Sequence, residues 1–394
     1  MYTKSFENEL SLRWDRVAQI MSKNGVEALI VSDNISLYYL SGRVFSGVAY
    51  FAVGYKPLFF VRRPVALSGD NVVYIRKVED IPTALQERGY PLPKSVALEG
   101  DVVTFNEYSR LQKVFSLGSS SILSSATSIL RYARSVKTEY EISKIRESAQ
   151  KHTELYSQIK TIFKRGMTDN DLAIEMEYAA RKLGSVGNMR IFGRSMEIFV
   201  GSILVGENAA SPSPYDFALG GGGMDSSLPI GCNGTPIVDG TTVMVDQGGN
   251  FGSYITDMTR VFALGEISPL ARHAHNISIE MHQTMIQMVK CGVATADIYN
   301  MCVDIAKRES LSQYFMGDSQ KAPFVGHGVG LEINETPVMA PRSREVFEQG
   351  NVFAFEPKFV IPKVGAVGVE NTYLLGASGV EKLTIFEEEI INLE

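Results

Sequence analysis

The chain has 394 residues, of which 45% are hydrophobic and 21% are charged, a balance typical of a folded protein with one large or two smaller domains. Its net charge is −6 and it contains no Lys/Arg run, so we expect no nucleic-acid partner. We find no signal-peptide pattern and no apolar stretch long enough to span a membrane. The three cysteines form no paired motif, so we expect a cytoplasmic protein with reduced thiols at Cys232, Cys291 and Cys302.

The first third of the chain has the pattern of a small α/β domain. Arg13 to Asn24 has helical spacing, and the run Ala28 to Val31 is typical of a buried strand. Further short strands are predicted around Tyr50 to Phe60 and at Val72 to Ile75. We place a domain boundary near residue 131, so that the two domains span residues 1–130 and 131–394.

The second domain contains a weak internal repeat. Thr168, with Asp171 three residues later, has the pattern of a capping box and predicts a helix start. Ser268-Pro269 predicts the start of a second long helix, and Thr295 opens another after it. Each helix pair leads into Gly-rich, strand-forming sequence. We therefore expect two related halves, each with a helix pair and antiparallel strands.

The first half contains two acids in a predicted β-hairpin. Asp246 ends an apolar strand, a Gly-rich turn follows, and Asp257 lies in the next strand. A turn centred near Phe251 and Gly252 would place the two carboxylates opposite each other, with Cβ atoms about 5 Å apart. Like charges at that distance repel unless a cation lies between them. This hairpin is therefore a candidate metal site.

The second half repeats the arrangement with Glu356 and Glu370, which a hairpin centred near Lys363 would pair. His327 lies between the two hairpins in sequence, flanked by glycines that permit close backbone approach. Any one of these acids could be an ordinary strand-edge residue, but four in mirrored hairpins, with no buried cationic run to match them, favour metal. Four carboxylates and one imidazole can hold two divalent ions about 3.5–4 Å apart.

Five segments match the metal-ligand motifs of one protein group in the correct order: Val245-Asp246, Thr256 to Arg260, Gly326 to Gly330, Phe355-Glu356-Pro357 and Glu370. On these motifs the chain resembles the creatinase, prolidase and Xaa-Pro aminopeptidase group of metallopeptidases. The resemblance implies an α/β (α+β) fold. It consists of a small creatinase-like amino-terminal domain and a carboxy-terminal pita-bread domain of two pseudo-symmetric halves.

The resemblance also implies roles for the matched residues. Asp257 and Glu370 would bridge two divalent ions, with Asp246 completing the shell of one ion and His327 and Glu356 that of the other. Hard or borderline ligands of this kind suit Mn, Co, Zn or Fe. A hydroxide shared by the two ions would attack the amide carbonyl, and Glu356 would carry a proton to the leaving nitrogen. The implied partners are a short peptide substrate and a second copy in a homodimer.

The sequence departs from the group's pattern at three positions near the expected substrate site. Ser213 and Asn334 stand where related proteins usually have histidines that contact the substrate and the tetrahedral intermediate, and Gly368 stands where an arginine is common. Ser213 and Asn334 can form neutral hydrogen bonds, but neither titrates near pH 7. Substrate recognition and rate are therefore expected to differ from those of the group.

Other features carry no predicted chemistry. The Gly220 to Gly223 run lacks the context of a phosphate-binding loop. His152, His273, His275 and His282 are predicted to lie on solvated helix faces. The leading hypothesis is thus a dinuclear-metal aminopeptidase or dipeptidase acting on Xaa-Pro bonds. The alternatives are a metal-dependent hydrolase or lyase of a small non-peptide substrate, and a weakly catalytic binding protein on the same scaffold.

Overall fold

The structure is a computed structural model that describes residues 4–118 and 122–394. The chain divides into two compact units, Met1–Arg134 and Ser135–Glu394. Among the described residues, no helix has both the length and the apolar character needed to cross a membrane.

The amino-terminal unit is built around one mixed sheet with the strand order β4-β3-β2-β1-β5-β6. Its strands are β1 (Ala28–Val31), β2 (Ser46–Ala52), β3 (Leu58–Arg63), β4 (Val72–Tyr74), β5 (Val96–Leu98) and β6 (Ile122–Ser125). Its helices are α1 (Lys4–Lys23), α2 (Asn34–Ser41), α3 (Ile81–Glu87), α4 (Phe105–Val114) and α5 (Ala126–Ser135), with a 3-10 turn at Val78–Asp80. Strand β1 is buried at every position because it pairs on both sides.

The carboxy-terminal unit contains helices α6 (Glu139–Tyr156), α7 (Ile159–Ile162), α8 (Asp169–Lys182), α9 (Pro269–Met288) and α10 (Thr295–Arg308), and a 3-10 turn at Gly206–Ala210. Its first strands are β7 (Gly201–Val205), β8 (Thr242–Gly249), β9 (Thr256–Ala263), β10 (Gly326–Gly328) and β11 (Glu335–Val338). The others are β12 (Val352–Phe355), β13 (Lys358–Ile361), β14 (Gly365–Gly368), β15 (Asn371–Gly376), β16 (Gly379–Lys382) and β17 (Ile391–Asn392).

The predicted repeat is present in this unit. One half has α6 to α8 packed on a sheet of order β17-β9-β8-β7, and the other has α9 and α10 beside a sheet of order β11-β10-β12-β15-β16 and the β13-β14 pair. The predicted helix starts are also confirmed. Thr168 forms a capping box with Asp171, and Ser268 accepts a hydrogen bond from Ala271 ahead of Pro269. Each half therefore buries its own apolar core between helices and strands.

The prediction that the histidines lie on solvated faces is wrong for three of the four. His152, His275 and His282 are almost completely buried, whereas His273 is about half exposed. The helices turn these imidazoles toward the sheet, where His282 bonds to the Tyr373 hydroxyl and to a backbone carbonyl. Histidine spacing on a helix does not by itself tell which face packs inward.

Candidate metal centre

Asp246 and Asp257 lie on adjacent antiparallel strands, but the predicted direct pairing is wrong. In the β8–β9 ladder Asp246 is opposite Thr259, and Gly248 is opposite Asp257. The two acids are thus diagonal neighbours on the same face, still within reach of each other. The shift arises because the connecting segment closes one residue further along the chain than the turn near Phe251 would require.

The second hairpin has the register that the sequence predicts. Strand β13 pairs Lys358 with Gly368 and Ile361 with Gly365, which centres the turn on Lys363, a residue with a φ of 64°. The β12–β15 ladder has the same centre, since Phe355 pairs with Asn371, and Glu356 and Glu370 are the next residues beyond the end of that ladder. The predicted centre of the hairpin is therefore confirmed, and ligand atoms of the two glutamates lie within 4.8 Å of each other.

The acids of both hairpins meet His327 in one place and form two groups that share Glu370. In the first, which we call the histidine triad, ligand atoms of Asp257, His327 and Glu370 all lie within 4.8 Å of one another. In the second, the carboxylate triad, the same holds for Asp246, Glu356 and Glu370. These are the five residues that the sequence motifs single out. Three lie on strands β8, β9 and β10, and the two glutamates lie in the short segments between β12 and β13 and between β14 and β15.

The histidine triad has the features of a site for a divalent ion. His327 Nδ1 is 3.1 Å from the Gly328 carbonyl, so Nδ1 can keep a proton by donating it there. Nε2 is then the nitrogen that can bind a metal, in place of the proton that it would otherwise share with Glu356. Nε2 faces carboxylates, at 3.3 Å from Glu356 Oε1 and 3.8 Å from Asp257 Oδ2. Glu370 Oε1 is buried with no hydrogen-bond partner among the described residues. An unpartnered buried carboxylate oxygen beside an imidazole nitrogen fits a single bound ion.

The carboxylate triad already contains a cation, Lys358. Its Nζ lies 2.8 Å from Asp246 Oδ2, 2.7 Å from Glu356 Oε2 and 3.1 Å from Glu370 Oε2, and its side chain is completely buried. The expectation that no buried cation would match the acids is therefore wrong. The sequence does hold a signal for it, because strand alternation puts Lys358 on the same side as Glu356, inside an otherwise apolar run.

The electrostatics of the centre are strongly coupled. Burial alone would raise the pKa of the Glu356 carboxyl, but the Lys358 ammonium and the hydrogen bond to His327 hold it at about 2. Burial and the Glu356 charge raise the pKa of Glu370 to about 8, and burial and the Glu370 charge raise the pKa of Asp257. Burial would lower the pKa of Lys358, yet the surrounding carboxylates raise it well above its usual value. The four acids thus outnumber the cations that pair with them, and Asp257 and Glu370 hold their protons more tightly as a result.

Buried polar residues that the sequence analysis missed hold the acids in place. Thr259 donates from Oγ1 to Glu370 Oε2 at 2.7 Å. Arg260, completely buried, donates to the Glu370 carbonyl at 2.8 Å and to the Asn371 side chain. Thr372 bonds to both the amide and the carbonyl of Asp257. Thr259 and Arg260 belong to the sequence motif Thr256 to Arg260, whereas the role of Thr372 is visible only in the tertiary structure.

The centre forms one wall of a cavity of about 80 Å³, whose other walls are largely apolar. Asn334 lines this cavity, but its side-chain amide is used on the backbone of Phe192, accepting at 2.8 Å and donating at 2.7 Å. The described lining residues do not include Ser213, which borders a neighbouring pocket and bonds to Pro229 and Tyr215. The structure thus brings Asn334 to the centre and leaves Ser213 apart from it.

Comparison with known families agrees with the geometry. The model of metallopeptidase family M24 matches residues 143–377, and that of the creatinase/prolidase N-terminal domain matches residues 13–136. The chain belongs to metallopeptidase family M24. The resemblance inferred from the five motifs is therefore confirmed, together with the two-domain α/β (α+β) fold and its pita-bread second domain.

Alignments with similar proteins extend over nearly the whole length of this chain. It is 22% identical to a Pyrococcus furiosus Xaa-Pro dipeptidase, in an alignment spanning 96% of this chain and 99% of that protein. A solved Xaa-Pro dipeptidase from Bacillus anthracis has a TM-score of 0.80 at 21% identity and covers 97% of this chain and 99% of its own. A Thermotoga maritima X-Pro aminopeptidase has a TM-score of 0.75 at 20% identity, with 96% and 99% covered. At these identities the structural matches establish the fold.

Proposed function

We propose that this M24 protein is a metal-dependent peptidase that cleaves Xaa-Pro bonds in short peptides, as a dipeptidase or an aminopeptidase. The observation that carries the proposal is the histidine triad, whose imidazole nitrogen and unpartnered carboxylate oxygen lie on the wall of a small cavity. The printed activity of the Pyrococcus furiosus relative supports the choice of substrate bond.

Asp257, His327 and Glu370 are the residues proposed to hold the ion. Carboxylate and imidazole ligands suit Mn, Co, Zn or Fe, in agreement with the expectation from the sequence. Such an ion would lower the pKa of a bound water and polarise the amide carbonyl. The two-ion form of the proposal also requires a site in the carboxylate triad, where Lys358 Nζ lies within 3.1 Å of all three acids.

Glu356 is the residue proposed to move the proton. Its carboxylate lies between His327 Nε2 at 3.3 Å and Lys358 Nζ at 2.7 Å, and the Lys358 ammonium keeps it ionised and fixed in orientation. It also lines the cavity, so it can accept a proton from a water there and pass it to the leaving nitrogen. A carboxylate held this way is a weak base, which favours slow turnover.

Asn334 is proposed to hold the backbone of Phe192 in place, since its Oδ1 accepts from the Phe192 amide and its Nδ2 donates to the Phe192 carbonyl. Ser213 is not in contact with the described cavity residues through its hydroxyl, which bonds to Pro229 and Tyr215 instead. Neither residue therefore replaces the missing histidines as a donor to the developing oxyanion. Loss of one such donor typically lowers the rate by about 10²–10³, so we propose low activity on Xaa-Pro substrates.

The small size and mixed lining of the cavity favour a short substrate. Apolar side chains such as Ile191, Ile198 and Phe217 face the acids across about 80 Å³, well below the roughly 300–1,000 Å³ usual for drug-sized ligands. A dipeptide with its proline ring against the apolar wall fits this space better than a longer chain. We propose the homodimer and the cytoplasmic location on the grounds given by the sequence, and sedimentation at micromolar concentration tests the first.

The test is hydrolysis of a panel of Xaa-Pro dipeptides and tripeptides by purified protein, before and after chelation and after return of Mn, Co, Zn or Fe. We expect metal-dependent cleavage that His327→Ala abolishes. His273→Ala is the matched control, because the His273 side chain is half exposed and pairs with Glu309, which belongs to neither triad. Metal-bound protein that cleaves no peptide in the panel would contradict the peptidase proposal.

The alternative functions stay open for a specific reason. A lysine lies in the carboxylate triad, and the two side chains that replace the family histidines bond to the backbone of Phe192, Pro229 and Tyr215. These departures favour a small non-peptide substrate, or a binding role with little turnover, if the peptide panel gives no product.

A further inference from the structure

Lys358 makes contacts of the kind expected for a resident cation of the centre. A lysine ammonium has three N–H donors, and here the three carboxylates of the carboxylate triad accept them at 2.7 to 3.1 Å. These separations are close to those of charge-assisted hydrogen bonds between an ammonium and carboxylates. No donor is left over for a water or a substrate among the described groups, so the pocket around Nζ is closed.

The β13–β14 hairpin fixes the position of the Lys358 side chain. Strand β13 begins at Lys358, directly across from Gly368 on β14. A Cβ added at Gly368 would lie 2.9 Å from Lys358 Cα and 3.4 Å from its Cγ. The absence of a side chain at Gly368 therefore provides the space that the lysine side chain occupies. The stem is fully covered, and the residue's amide is also buried. The ammonium is therefore shielded from solvent beneath the three acids that it contacts.

A divalent ion cannot share the carboxylate triad with this ammonium. Zn²⁺, for example, binds carboxylate oxygens at about 2.0–2.2 Å, so an ion held by Asp246, Glu356 and Glu370 would occupy the space that Nζ fills. The histidine triad has no such occupant among the described residues, and Glu370 keeps its Oε1 unpartnered while Oε2 bonds to Lys358 and Thr259. One ion position is blocked and the other is open.

We propose that Lys358 replaces one of the two divalent ions, so that the centre holds a single ion in the histidine triad beside a permanent ammonium in the carboxylate triad. This inference rests on the metal-dependent part of the proposed function. It changes the chemistry available, because an ammonium neutralises one charge where an ion neutralises two, and it offers no coordination position for a water. Glu356 then acts as a carboxylate fixed by the ammonium.

The experiment counts metal ions per chain. Wild-type protein and Lys358→Ala are stripped with a chelator, dialysed against Mn²⁺ or Zn²⁺, freed of unbound ion and analysed by mass spectrometry of the metal. We expect one ion per wild-type chain and two per Lys358→Ala chain. Lys137→Ala is the matched control, since Lys137 is equally buried and 2.8 Å from Glu335, outside both triads, and it should leave the count unchanged.

Two ions in the wild type, or an identical count in the wild type and Lys358→Ala, would overturn the inference. A wild type that binds no ion would also overturn it, because the inference requires one ion in the histidine triad. A wild type that binds two ions and cleaves peptides only with metal would overturn the inference and leave the proposed function standing, so the two proposals fail separately. If Lys358→Ala does not fold, anomalous diffraction from wild-type crystals soaked in Mn²⁺ decides the matter. One peak among Asp257, His327 and Glu370 supports the inference, and a second peak overturns it.

Discussion

The charge of Lys358 should be a large contribution to the stability of the metal-free protein. Lys358→Met keeps the length of the stem and removes the ammonium, so it leaves three buried carboxylates without their shared partner. Removing one member of a buried ion pair costs about 3–5 kcal/mol. Glu370 can take up a proton because burial and the Glu356 charge raise its pKa to about 8, which places the expected loss toward the lower end of that range.

The loss can be measured by urea or thermal denaturation in the presence of a chelator at pH 7. For a unit of this size a change of 1 kcal/mol moves Tm by about 2–4 °C, so the variant should unfold roughly 6–12 °C below the wild type for a loss of about 3 kcal/mol. Lys137→Met removes a buried lysine from one carboxylate rather than three, and gives the comparison for a simple buried pair.

Stabilisation by divalent ions should show whether Lys358 contributes through its charge or through the packing of its side chain. Lys358→Ala opens the carboxylate triad, so saturating Mn²⁺ should stabilise it more than it stabilises the wild type. A second site at about 100 times its Kd would add about 2.7 kcal/mol. A loss of less than about 1 kcal/mol in Lys358→Met, or equal stabilisation of both proteins by Mn²⁺, would refute the view of Lys358 as the cation of this triad.

Three further outcomes follow from the same structure. The pKa of Glu370 is raised from 4.5 to about 8, so the metal-free protein should lose stability as pH rises from about 4.5 to 8. In a plot of urea midpoint against pH, Glu370→Gln should flatten that part of the curve. Burial lowers the pKa of His152 from 6.5 to about 3, so stability should fall as pH drops below 6.5, less steeply in His152→Phe. Asn334→Ala removes both hydrogen bonds to Phe192 and should cost about 1–3 kcal/mol in thermal denaturation.

The sequence alone determined the features that depend on short stretches of chain. Thr168 and Ser268 start helices because a hydroxyl acceptor at the cap satisfies backbone amides within the next turn. The turn centred on Lys363 joins β13 to β14, and the β12–β15 ladder has the same centre, so Glu356 and Glu370 lie near each other between the two ladders. These interactions join residues close in sequence, so the pattern of residues is enough to predict them.

The tertiary structure decided what depends on packing between distant segments. A slip of one residue in the turn after Asp246 was enough to change its partner from Asp257 to Thr259. The burial of His275 and His282 depends on which face of α9 meets the strands, and the orientation of Asn334 depends on Phe192, far away in sequence.

Lys358 shows the same division most clearly. Its place on the face of Glu356 follows from strand alternation, which the sequence contains. That its ammonium also reaches Asp246, 112 positions away, follows only from the packing of β8 against the second hairpin. The motifs therefore determined which acids form the centre. The fold decided that one cation of the centre is Lys358, because a buried charge pairs with the groups that packing brings within hydrogen-bond distance.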